Sequence, residues 1–114
     1  MAQASSETGQ QAAEIQLVVD APIATITINR ADDENRLTRA NLQRLGEIAE
    51  TLKFSDDVQA VLVTGTGGDF FSAGLLNPVI RASLSKDEVM ETVMLANNVL
   101  DAIEALPQIV IAVI

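Results

Sequence analysis

Apolar positions begin to cluster at Ile15. The runs "IQLVV" and "IATITI" are rich in β-branched residues and are separated by "DAP", a turn signal. This pattern predicts an antiparallel hairpin. In the second run Ala24, Ile26 and Ile28 alternate with Ile23, Thr25 and Thr27, so the first set forms the more apolar face. The charged stretch "RADDENRL" follows as a loop. Thr38 is placed to cap a helix reaching about residue 54, with Leu42, Leu45, Ala49 and Leu52 on one side. Gly46 inside it lowers its helical propensity. "VQAVLVT", residues 58–64, is a short continuous apolar run, the pattern of a strand covered on both faces.

Beyond the glycine-rich stretch "GTGGDFFSAG", "LLNPVIRA" predicts a short helix that Pro78 interrupts. "SKDE" has capping-box spacing, with Ser85 and Glu88 satisfying donors at a helix start. The helix it opens carries Val89, Val93, Ala96, Leu100, Ile103 and Leu106 on one side, and Pro107 ends it. "IVIAVI" reads as another fully buried strand. The order is β-β-α-β-loop-α-β, an α/β class with parallel pairing across the helical crossovers. Residues 15–114 form one domain, and "MAQASSETGQQAAE", residues 1–14, reads as a flexible polar tail without the features of a secretory signal. A cytoplasmic location is the default expectation. Ending within its most hydrophobic strand, the sequence has the look of a domain truncated at its C-terminus.

Composition narrows the chemistry. The chain has neither cysteine nor histidine, which excludes disulfides, thiolate zinc sites and Ser-His-Asp catalysis. Seven Lys+Arg against sixteen Asp+Glu give a net charge of −9, unsuited to nucleic acid or anionic membranes. A local basic cluster can still hold one anion. No run approaches the length of a membrane span. Asp32, Asp33 and Glu34 lack the spacing of a calcium loop, so no metal is expected.

The stretch from Gly65 to Gly74 puts four glycines and two phenylalanines into ten residues directly after a strand. A dinucleotide loop fits its first half, but Phe70 stands where the last glycine of that fingerprint belongs, and "DFFSAG" is not helical. A Walker loop needs a lysine, which is lacking. Two readings remain open on the residues alone. In one, the glycines simply permit positive φ in a surface loop. Alternatively, Phe70 and Phe71 anchor the loop while Ala73 and Gly74 turn the chain sharply, so that the Leu75 N–H meets a bound carbonyl oxygen.

Three segments, "ATITINRADDENRLTRANLQRLGEIAETL", "VQAVLVTGTGGDFFSAGLL" and "VLDAIEALPQIVIAVI", resemble in order the first half of the enoyl-CoA hydratase/isomerase (crotonase) family. The resemblance covers nearly the whole chain from Ile15. It implies the N-terminal portion of a β-β-α spiral that binds acyl-CoA and stabilises a thioester enolate between two backbone N–H groups. Leu75 matches the first of these donors. Phe71, Ala73 and Gly74 beside it are candidate substrate-binding residues. Arg30 and Arg36 fall in the connection that passes near the CoA nucleotide and are candidate phosphate partners. Members often carry an acidic residue where this chain has Leu76, and a small residue where it has Arg36. The second donor and the acid/base carboxylates would lie beyond Ile114, so the chain alone is expected to be inactive. The resemblance also implies a trimer or hexamer and no cofactor apart from coenzyme A within the substrate. The alternatives are a truncated non-catalytic relative and a nucleotide-binding α/β domain.

Overall fold

A computed structural model describes residues 9–10, 12–75 and 77–114. Four strands form one sheet in the order β1-β2-β3-β4: β1 (Ile15–Asp20), β2 (Ile23–Ile28), β3 (Ala60–Gly65) and β4 (Ile109–Val113). β1 and β2 form the antiparallel hairpin, paired from Ile15↔Ile28 to Asp20↔Ile23. β2–β3 and β3–β4 are both parallel, as expected for strands joined through helices. Between the strands lie the α-helices α1 (Arg39–Lys53), α2 (Pro78–Ser83) and α3 (Lys86–Glu104).

The register explains the core. Ala24, Ile26 and Ile28 alternate into it from β2, and Ala24 lies opposite Val61 of β3, itself opposite Val110 of β4. From α1, Leu45, Ile48 and Leu52 join this cluster, and from α3, Val99. Both long helices therefore cover the same face of the sheet. The other face is open: Val18 on β1 and Ile109, Ile111 and Val113 on β4 are all exposed large apolar residues. Two expectations are corrected here. β3 is not covered on both faces, with only Val61 fully buried, and β4 is an exposed edge strand instead of a buried one. A continuous apolar run signals that both faces suit burial; it does not supply the layer that covers them.

The helix ends follow local chemistry. The Thr38 hydroxyl accepts the Asn41 N–H at 3.1 Å, and the Asn41 side chain accepts the Thr38 N–H at 2.9 Å. Ser85 and Glu88 form the expected reciprocal pair, with bonds of 3.0 and 3.1 Å. The Ser85 backbone N–H, and then its hydroxyl, hold the Glu88 carboxyl below its usual range, with a smaller contribution from Arg39. Pro78 begins α2 instead of interrupting a helix: Asn77 caps it by accepting the Ile80 N–H at 2.9 Å. A first-turn proline lacks only a donor that would be orphaned there anyway.

The buried side of α3 also differs from the expected stripe. Thr92, Ala96 and Val99 are buried, whereas Val93 and Leu100 are 40% and 57% exposed. Periodicity leaves two neighbouring stripes open, and packing against α1 selects the one with the smaller side chains. At this contact a Cβ built on Gly46 would lie 3.5 Å from Val99 Cγ2, an ordinary van der Waals distance. Gly46→Ala is therefore expected to raise the unfolding free energy by about 0.5–1 kcal/mol through helix propensity. Urea denaturation checks this, and a lowered midpoint would mean that the α1–α3 contact has no room for a methyl group.

Of the expected tail, residues 1–8 and 11 lie outside the described residues, while Gly9, Gln10 and residues 12–14 are helical. The Glu14 carbonyl accepts the Asn29 N–H at 2.7 Å, joining this segment to the end of β2.

Candidate functional site

Two loops leave neighbouring parallel strands at the same end of the sheet. The first, residues 29–38, follows β2 and contains a short 3-10 turn at Ala31–Asp33. The second is the glycine loop after β3. Among its described residues no helix opens before Pro78, contrary to the geometry of a dinucleotide or Walker loop.

The loops are joined along their length. Beside the strands, the Thr66 N–H donates to the Ile28 carbonyl at 2.9 Å. Further out, the Ala73 N–H donates to the Glu34 carbonyl at 2.9 Å and the Leu37 N–H to the Gly74 carbonyl at 2.8 Å. Leu37 and Leu75 thereby form a parallel bridge. Between these contacts sits Asn35, fully buried and with φ of 56°. Its Oδ1 accepts the Arg30 N–H at 2.8 Å, and its Nδ2 donates to the Thr66 and Phe70 carbonyls at 2.9 and 2.8 Å. Its own carbonyl accepts the Ser72 hydroxyl at 2.7 Å.

Two glycines have distinct reasons to be here. A Cβ on Gly65 would fall 2.1 Å from the Phe71 carbonyl oxygen and 2.7 Å from Asn35 Nδ2, so the site requires the absence of a side chain. Gly74 has φ of 118°, a conformation that side chains disfavour. Phe70 is not the anchor expected, being 46% exposed, whereas Phe71 is half-buried. The Phe70 carbonyl, which accepts from Asn35 Nδ2, holds the loop where its ring does not.

At the end of this loop the backbone donors divide. The Ala73 N–H is bonded to Glu34, and the Gly74 N–H to the Ser72 hydroxyl at 3.3 Å. The half-buried Leu75 N–H has no acceptor among the described residues. A preorganised donor without an internal partner can stabilise charge on a bound oxygen. Ala73 is exposed, and Leu76 lies outside the described residues.

Arg36 directly precedes Leu37 and so is brought beside Leu75, from which it is remote in sequence. Its guanidinium meets Asp33 at 3.7 Å and Glu34 at 3.1 Å, and it lines an open cleft of about 450 Å³ with Pro78, Arg81 and Ala82. Arg30 turns inward, pairing with Glu14 at 3.6 Å and Asp33 at 3.2 Å and donating to the Arg36 carbonyl. Its head group therefore braces the loop. Arg81, absent from the sequence reading, faces the cleft with no carboxylate within ion-pair distance among the described residues. Two of the seven basic residues of this acidic chain line the cleft, and with Arg36 paired to Asp33 and Glu34, Arg81 is the one of the two without a carboxylate partner among the described residues. Among the described residues no group of acidic side chains is arranged to hold a metal, and no helix is long and apolar enough to cross a membrane.

No protein-family model matches the sequence. A protein named as an enoyl-CoA hydratase/isomerase, YngF of Bacillus subtilis, is 37% identical over 92 residues, covering 81% of this chain and 35% of its own length. Among solved structures, the enoyl-CoA hydratase of Bacillus anthracis superposes with a TM-score of 0.82 at 28% identity, over 87% of this chain and 38% of that one. The enoyl-CoA hydratase of Mycobacterium smegmatis gives 0.79 at 32% identity, again over 87% and 38%. The chain thus spans little more than a third of the length of the relatives it matches. Sequence and fold together identify it with the N-terminal part of the enoyl-CoA hydratase/isomerase (crotonase) family.

Proposed function

We propose that this chain is the acyl-CoA-binding portion of an enoyl-CoA hydratase/isomerase-family enzyme, with the Leu75 N–H as one of two donors to a thioester oxygen. The observation that carries this reading is the open Leu75 N–H at the end of a loop whose two preceding N–H groups are bonded. A thioester carbonyl gains negative charge as an enolate forms, so a fixed donor stabilises that state more than the ground state. Phe71, Ala73 and Gly74 form the bound wall beside it. Arg36 and Arg81 take the phosphate-bearing end of coenzyme A in the cleft, while Arg30 supports Arg36 from behind. The second donor and the proton-moving carboxylates are not among these residues, so the chain by itself binds acyl-CoA without turning it over.

The test is titration calorimetry with crotonyl-CoA, CoA and NAD, joined to infrared spectroscopy of crotonyl-CoA carrying a ¹³C thioester carbonyl. Crotonyl-CoA is expected to bind more tightly than CoA, with its carbonyl band moved to lower wavenumber. Arg36→Ala and Arg81→Ala are each expected to weaken both CoA ligands about five-fold, a loss of roughly 1 kcal/mol that shrinks with added salt. Equal binding of CoA and crotonyl-CoA with an unmoved band would remove the oxyanion reading. Preferential binding of NAD would favour a nucleotide-binding domain instead.

A further inference from the structure

We infer that Asn35 is the positioning residue for the Leu75 donor, acting through the glycine loop without touching the substrate; this rests on the reading of Leu75 just given. Asn35 is completely buried, and its amide is filled in both directions: one bond accepted from the Arg30 N–H and two given to the Thr66 and Phe70 carbonyls. It contacts the glycine loop at Thr66, Phe70 and Ser72, so the segment running toward Leu75 is fixed at successive points. The last two points, Ala73 to Glu34 and Gly74 to Leu37, use the residues flanking the Asn35–Arg36 pair. An amide is the group that accepts one bond and donates two within so small a volume. The isosteric aspartate retains the acceptor and loses both donors, setting a carboxylate against two carbonyl oxygens.

The role is separable from simple support of the fold because the first loop has bonds of its own. Within residues 30–36, the Asp33 and Asn35 N–H groups donate to the Arg30 carbonyl, Glu34 donates to Ala31, and Arg36 donates to Asp33. The Arg36 head group is held by Asp33 and Glu34. Removing the Asn35 amide therefore leaves the arginine side of the cleft built and releases the glycine loop at Thr66 and Phe70. The two ends of a CoA thioester should respond differently. Binding through phosphate persists, whereas the extra affinity contributed by the thioester carbonyl disappears.

The experiment compares CoA and crotonyl-CoA affinities, with the ¹³C carbonyl band, for the unaltered protein, Asn35→Ala, Asn35→Asp and Ser72→Ala. In the two Asn35 variants the CoA affinity is expected to stay within about three-fold while the preference for crotonyl-CoA falls to near unity and the band returns to its solution position. Ser72→Ala removes both bonds of the hydroxyl, to the Asn35 carbonyl and from the Gly74 N–H, and leaves the Asn35 amide in place, so it is expected to reduce the preference partially, and it decides the matter if the Asn35 variants do not fold. An undiminished preference in the folded variants overturns the inference. An equal loss of CoA and crotonyl-CoA binding also overturns it, by reducing Asn35 to a structural role. Absence of any preference in the unaltered protein overturns the Leu75 reading and this inference with it, and is distinguished by appearing before any substitution is made.

Discussion

Gly65→Ala is expected to cost about 3 kcal/mol or more in stability, among the largest effects of adding one methyl group anywhere in the chain. The new Cβ would lie 2.1 Å from the Phe71 carbonyl oxygen and 2.9 Å from its carbon, both backbone atoms that no rotamer change can remove. It would also lie 2.7 Å from Asn35 Nδ2. Relief requires the glycine loop to move away from β3, and that breaks the buried Asn35 bonds to Thr66 and Phe70. Leaving a buried amide unpaired adds roughly 1–3 kcal/mol. Gly68 is an internal control, because a Cβ there meets nothing within 4 Å and its φ lies outside the disfavoured positive range. Gly68→Ala should change stability by less than about 0.5 kcal/mol. Urea midpoints of the two variants decide the matter, and similar midpoints would contradict the close approach of the two loops.

This contrast shows what the sequence could and could not convey about the site. "GTGG" announces a loop that demands glycines, but the reasons differ from residue to residue. Gly65 answers to a carbonyl six residues later, and Gly74 to its own φ of 118°. The conformational demand at Gly74 is local and belongs to known turn chemistry. The contact at Gly65 depends on where the chain returns. Asn35 was missed for a similar reason. In "DDENRL" it reads as an ordinary polar turn residue, and an asparagine with positive φ is common enough to attract no notice. Its partners at Thr66 and Phe70 are 31 and 35 residues away. Nothing in the local pattern names them.

Elements with short-range causes were more legible. Thr38 and Ser85 cap their helices, Ala24, Ile26 and Ile28 face inward, and the hairpin pairs as the alternation implies. Burial was less so, because it needs a second body. β4 has the composition of a core strand, yet it lies at the sheet edge with Ile109 69% exposed. Arg81 shows the same limit: an isolated arginine on a short helix gains significance only when the fold sets it across a cleft from Arg36.

Leu52→Ala and Leu100→Ala give the second large contrast, because both leucines were expected in the core and only one is there. Leu52 is fully buried in the cluster formed by α1 and the sheet. Truncating it is expected to remove about 2–5 kcal/mol, the sum of lost transfer energy and the cavity left behind. For a domain whose total stability is on the order of 5–15 kcal/mol, that brings unfolding within reach of mild denaturant. Leu100 lies on α3 at 57% exposure, one stripe away from the buried Ala96 and Val99. Leu100→Ala should therefore cost less than about 0.5 kcal/mol. Both values come from urea unfolding at one protein concentration, repeated at a ten-fold higher one. A large, concentration-dependent loss for Leu100→Ala would show that this face of α3 is covered by another copy in solution. A large loss independent of concentration would mean instead that α3 turns its predicted stripe inward, as the sequence period alone allows.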